Sequence, residues 1–145
     1  MNEIKEMYND VIMDHYLLSP NKKKLDDYTH ELLGVNPSCG DEITIKVKIE
    51  DNIIKDMAFE GNGCAISISS TSILIDLVKG KTIVEALKII ENFNNMIYKE
   101  NSVNVEELEE AVVFENVSNM PARIKCATLA YRTLQNILQN DVNKK

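Results

Sequence analysis

No stretch of this 145-residue chain approaches the roughly 20 consecutive apolar residues that a membrane-spanning helix needs. The start, Met1-Asn2-Glu3-Ile4-Lys5-Glu6, lacks the basic segment followed by an apolar one that marks an export signal, so a cytoplasmic protein is expected. Basic charge is scarce as well. Sixteen Lys and Arg stand against 23 Asp and Glu, a formal net charge of -7. Nucleic-acid binding is driven by clustered cations that displace counterions from phosphate, and Lys22 to Lys24 and Lys144-Lys145 are too short to supply it. Only three cysteines are present. An odd number without an export signal disfavours a disulfide framework and leaves metal binding, catalysis or inert burial. Internal repeats, low-complexity tracts and linkers are missing too. The length suits one domain over residues 1–145, large enough to bury a core without covalent staples.

What is present is regular. Ile4, Met7, Tyr8, Val11, Ile12 and Tyr16 recur at helical spacing, and Ser19-Pro20-Asn21 ends that helix. Ile43, Ile45, Val47 and Ile49 alternate with polar residues, the pattern of a strand with one wet face. Asp51-Asn52 reads as a hairpin turn into a second strand over 53–60, and 29–36 is a weaker strand ahead of both. A helical run after Cys64 closes at Gly80, suited to the left-handed position past a helix end. Thr82 with Glu85 forms a capping box, and Asn104 with Glu107 repeats the signal for a shorter acidic helix. The polar segment 92–104 between them reads as partly looped. Pro121 fits the first turn of a last helix whose stripe Ile124, Ala127, Thr128, Tyr131, Leu134 and Leu138 faces the core. The expected class is α+β: a small three-stranded antiparallel sheet backed by about five helices.

The cysteines sit where such a fold would gather them. If the strands form a meander in sequence order, Cys39 and Asp41 in the first connection and Cys64 past the third strand all fall at one end of the sheet. Cys126 needs only the last helix to dock there. About 100° of rotation separates it from Ala127, so a semi-buried position beside Leu129, Ala130 and Thr133 is expected. Three thiolates and a carboxylate suit tetrahedral zinc, and they also suit iron-sulfur chemistry. Arg123 and Lys125, close to Cys126, would offset the negative charge of the ligands and donate hydrogen bonds to sulfur. Cys64, near a helix N-terminus, gains thiolate character from the helix dipole. The hydroxyl run Ser67 to Ser72 reads as close helix packing rather than a ligand lining. His15 reads as a surface or packing residue, and His30 has no motif around it.

Three segments, Asn36-Pro37-Ser38-Cys39-Gly40-Asp41, Gly61-Asn62-Gly63-Cys64-Ala65-Ile66-Ser67 and Pro121-Ala122-Arg123-Ile124-Lys125-Cys126-Ala127-Thr128-Leu129, resemble the cysteine motifs of the IscU/NifU N-terminal iron-sulfur assembly family. The likeness covers nearly the whole chain. Within the family, Lys125 replaces the His that IscU-type scaffolds carry before the third cysteine, and 92–117 resembles the insertion of SufU-type proteins. Met120-Pro121-Ala122-Arg123-Ile124-Lys125 stands where IscU proteins carry their chaperone-binding Leu-Pro-Pro-Val-Lys tract. The SufU-type resemblance implies zinc held by Cys39, Asp41, Cys64 and Cys126. It also implies a SufS-type cysteine desulfurase as partner, an enzyme that uses pyridoxal phosphate, with an iron-sulfur assembly complex downstream. In that family mechanism a desulfurase His replaces Cys39 on the zinc, and Cys39 takes the persulfide sulfur, with Arg123 in a supporting role. Two alternatives stay open: a scaffold for a transient [2Fe-2S] cluster on the same ligands, and a non-catalytic zinc adaptor that stimulates the desulfurase.

Overall fold

The computed structural model describes residues 10–143, and the side chains of 142 and 143 are left aside. In chain order it contains α1 (Asp10–Leu18), β1 (His30–Asn36), β2 (Asp41–Glu50), β3 (Ile53–Asn62), α2 (Ala65–Val78), α3 (Ile83–Tyr98), α4 (Val105–Leu108), a 3-10 segment (Glu109–Asn119) and α5 (Pro121–Asn143). The strands form one antiparallel sheet in the order β1-β2-β3. Half of the apolar stripe expected over 4–16, namely Ile4, Met7 and Tyr8, lies outside the described residues. Of its members, Ile12 is fully buried.

The alternation in β2 holds along the strand: Ile43, Ile45, Val47 and Ile49 point inward and the residues between them do not. Asp51 and Asn52 both have positive φ, 54° and 63°, the mirror-image turn that matches the twist of a two-residue hairpin. That hairpin joins β2 to β3, and a register shift between Lys48 and Ile49 brings Glu42 opposite Asn62. The short connection between β1 and β2 sets Asn36 opposite Asp41, so the end of β1, the start of β2 and the end of β3 share one edge.

Gly80 has a φ of 88°, as expected past the end of α2, and its N–H donates to Ile54 O at 2.7 Å. The capping box at α3 forms in both directions: Glu85 N–H donates to Thr82 Oγ1 at 3.1 Å and Thr82 N–H to Glu85 Oε1 at 2.9 Å. Thr82→Ala is expected to lower stability by about 1 kcal/mol, read as a fall in the urea midpoint at constant slope.

The segment 92–104 is looped in part, as expected: Phe93, Met96 and Ile97 continue the buried stripe of α3 and carry the helix to Tyr98, and the loop lies beyond it. Asn92 explains the loop that follows: its carboxamide accepts Asn104 N–H at 3.0 Å and donates to Asn104 O at 2.7 Å. The second capping signal, by contrast, does not form a box. Asn104 makes no side-chain cap bond, α4 has 4 residues, and Glu109 turns the chain at a φ of 47°.

On α5, Ala127, Thr128, Tyr131, Leu134 and Leu138 are buried and Ile124 is half-buried. Tyr131 stacks on Phe93, ring centroids 3.7 Å apart. The helix packs on β1 at one side and α2 at another, so its buried arc is wider than one stripe. Cys126 is therefore 1% exposed, more deeply buried than the semi-buried position expected from its angular offset. Gly34 brings β1 against α5: a Cβ there would lie 2.1 Å from Thr133 Oγ1.

Candidate metal centre

The turn between β1 and β2 presents Cys39. Its N–H donates to Asn36 O at 3.2 Å, and Gly40, at a φ of 71°, lets the chain reverse into Asp41. Asp41 is 1% exposed, a buried carboxyl held at both oxygens. Oδ1 accepts Cys64 N–H at 2.9 Å, and Oδ2 accepts the Asn36 carboxamide at 3.1 Å. Cys64 is the N-cap of α2, with its sulfur accepting Ser67 N–H at 3.4 Å. Cys126 comes in from α5, 3.1 Å sulfur to sulfur from Cys39, and also accepts from Asn36 Nδ2 at 3.5 Å.

One donor atom each from Cys39, Asp41 and Cys126 lie within 4.8 Å of one another. Cys64 stands at the margin of that group, near enough for its charge and a hydrogen bond to act on Cys126. Sulfurs bound to one tetrahedral zinc lie about 3.8 Å apart, from Zn–S bonds of about 2.3 Å. The 3.1 Å thiol pair would open by about 0.7 Å to reach that spacing, a side-chain adjustment. Two further observations fit an ion. A Cβ at Gly63 would lie 2.7 Å from Asp41 Oδ1 and 3.2 Å from Ser67 Oγ, so glycine leaves the cradle unfilled. Ser67 Oγ is buried and has no hydrogen-bond partner, an orphan beside the ligand set.

Burial pushes the Cys126 thiol up, and Cys39, Cys64 and Asp41 push it further the same way. Without metal Cys126 is thus a neutral thiol at neutral pH, and an ion must displace its proton. Zinc loading is expected to release protons and to tighten as pH rises, because alkali removes the competitor. Calorimetry in two buffers of different ionisation heat checks this: identical heats would contradict it.

The remaining expectations divide. Arg123 is half-buried and Lys125 exposed on the turn that carries Cys126, with Lys125 O accepting from Arg132 Nη2 at 3.2 Å. The hydroxyl run is packing: Ser69 and Thr71 donate to carbonyls one turn back, and Ser70 donates to Ala127 O at 2.6 Å, joining α2 to α5. His15 is the packing residue of the two expected alternatives, buried and bonded to Ser72 Oγ at 2.8 Å and Glu110 Oε1 at 3.1 Å. His30 bonds Asp141 at 3.0 Å. Asn36 and Ser67, neither of them singled out by the sequence, are neighbours of the candidate ligands.

The model of the NifU-like N terminal domain matches residues 7–127, which include all four of these side chains. The chain belongs to that family. Among relatives in the family, it is 38% identical over 135 residues to the iron-sulfur cluster assembly scaffold protein IscU of Thermotoga maritima, covering 93% of this chain and 94% of the relative. It is 39% identical over 129 residues to the zinc-dependent sulfurtransferase SufU of Bacillus subtilis, covering 89% and 87%. A crystal structure named for an iron-sulfur cluster assembly scaffold protein of the SUF system, from Fervidobacterium islandicum AW-1, superposes with a TM-score of 0.87 at 36% identity, over 91% of this chain and 96% of that one. The N-terminal domain of a NifU-like protein from Brucella abortus shares the fold at a TM-score of 0.88 and 20% identity, over 99% of each chain. Both the three-stranded sheet and its helices are thus those of the family. No helix among the described residues is long and apolar enough to cross a membrane.

Proposed function

We propose that this protein acts in iron-sulfur cluster assembly as a zinc-dependent sulfur acceptor, taking persulfide sulfur from a cysteine desulfurase onto Cys39 in the cytoplasm. The observation that carries this reading is an asymmetry among the ligands. Asp41 receives the Cys64 N–H and the Asn36 carboxamide, Cys64 receives Ser67 N–H, and Cys126 receives Asn36. The Cys39 sulfur, half-buried on a surface turn, accepts its hydrogen bond from the thiol of Cys126, whose proton metal binding would remove. Among the described residues Cys39 thus has no backbone or carboxamide donor fixing its sulfur and, unlike Cys126 and Asp41, is not fully buried.

Zinc in such a site holds thiolates without redox chemistry. Everything else falls to the chain. Released as thiolate, Cys39 attacks the outer sulfur of the desulfurase persulfide in line. A bond forms between Cys39 Sγ and that sulfur as the old S–S bond breaks, and the desulfurase cysteine leaves as thiolate. Electrons balance without an outside oxidant. Cys64 and Cys126, on helices and held by hydrogen bonds, stay in place with Asp41. Arg123, on the first turn of α5, would support the incoming anionic sulfur.

A second reading, a scaffold carrying a [2Fe-2S] cluster on the same ligands, draws on the scaffold name of the Thermotoga maritima relative. Desulfurase turnover separates the two. Zinc-loaded, iron-free protein should accelerate a SufS-type desulfurase acting on cysteine. Acceleration only after iron replaces zinc would favour the scaffold.

A further inference from the structure

Asn36 ends β1 and is 3% exposed, a carboxamide enclosed at the centre of the ligand set. Its two N–H groups have two acceptors, Asp41 Oδ2 at 3.1 Å and Cys126 Sγ at 3.5 Å. Its backbone carbonyl accepts Cys39 N–H at 3.2 Å, and strand register sets it opposite Asp41. One residue therefore touches three of the four ligand residues, and it does so unequally. For Asp41 and Cys126 it holds the donor atom itself. For Cys39 it holds the backbone N–H and not the sulfur.

We propose that Asn36 is the positioning residue that keeps Asp41 and Cys126 on the metal while Cys39 is released, so that the site opens at one ligand only. This rests on the sulfur-acceptor reading above. A hydrogen bond to a ligating sulfur or carboxylate fixes its direction and disperses its charge, and the loss of such a partner weakens metal retention. Without Asn36, Asp41 Oδ2 and the Cys126 sulfur both lose their fixed donor in a buried setting. With aspartate in its place, the donor becomes a third buried negative group beside them.

Two readouts on the zinc-loaded full chain test the assignment: transfer of zinc to a chromogenic chelator, and the order in which limited iodoacetamide treatment alkylates the cysteines, read by peptide mass spectrometry. In the unaltered protein Cys39 is modified first and Cys126 last. Asn36→Ala should speed zinc transfer by about 10- to 100-fold. Cys126 should then be modified in the same interval as Cys39. Asn36→Asp should release zinc faster still. Asn21→Ala serves as the folding control, since Asn21 is 7% exposed and donates to Ser72 O at 2.8 Å and Asp76 Oδ1 at 3.0 Å, within another helix contact. It should lower stability yet leave zinc transfer and alkylation order unchanged. Unaltered zinc transfer and order in Asn36→Ala, or an equal change in Asn21→Ala, would overturn the role of Asn36. Alkylation of Cys64 or Cys126 before Cys39 in the unaltered protein would instead overturn the sulfur-acceptor reading.

Discussion

Cys39→Ser is expected to reduce sulfur uptake from a desulfurase to background while much of the zinc stays bound. The serine hydroxyl is a poor nucleophile toward sulfur at neutral pH, whereas a thiolate is a strong one. Zinc retention should survive in part because Asp41, Cys64 and Cys126 keep their hydrogen-bond donors and their places on β2, at the start of α2 and on α5. The comparison variant is Cys126→Ser, which replaces a buried candidate ligand and should lose most of the zinc. Metal content and persulfide detection on the same samples check the pair. A Cys39→Ser protein that still accelerates the desulfurase would point to the adaptor reading, in which binding alone stimulates the partner.

The second large effect is expected at Gly61, two residues before the turn that delivers Cys64. Its φ is 125°, and a Cβ there would lie 2.0 Å from the carbonyl oxygen of Glu42 on the neighbouring strand. That obstacle is backbone, which cannot swing aside as a side chain can. Alanine must either part β2 from β3 at the end of the sheet or bend β3 away from it. The strained dihedral and the overlap together are expected to cost about 3 kcal/mol or more. Asp41 and Cys64 should separate too, since the Cys64 N–H to Asp41 Oδ1 bond spans that same end of the sheet. Chemical denaturation gives the stability change, and zinc stoichiometry of the folded fraction gives the damage to the site. A folded Gly61→Ala protein with full zinc content would show that the close approach is not needed.

The route from sequence to site was short where local rules decide the geometry. Alternation in β2 and the Asp51-Asn52 turn fix a meander, and a meander in chain order is enough to bring Cys39, Asp41 and Cys64 to one end of the sheet. What local rules do not contain is the packing of one element on another. The depth of Cys126 depends on α5 lying against both β1 and α2, which no periodicity within α5 specifies. The continuation of α3 to Tyr98 is of the same kind. Its polar residues argue for a loop, and burial of Phe93, Met96 and Ile97 outweighs them.

Asn36 was the most legible of the residues left unread. Alternation along β1 turns Leu32, Gly34 and Asn36 to one side, and a carboxamide on the inward side of a strand needs partners. Ser67 left a fainter trace. It lies in a run of hydroxyls, most of which bond helix carbonyls, and only its lack of a partner sets it apart.

The central claim is that Cys39 receives the sulfur, and it is tested most directly by a single turnover of a SufS-type desulfurase with the zinc-loaded protein, followed by peptide mapping of the persulfide. The account predicts the added sulfur on Cys39, with Cys64 and Cys126 unmodified and zinc still bound. Sulfur on Cys64 or Cys126, or none on this chain while the desulfurase turns over faster, would contradict it.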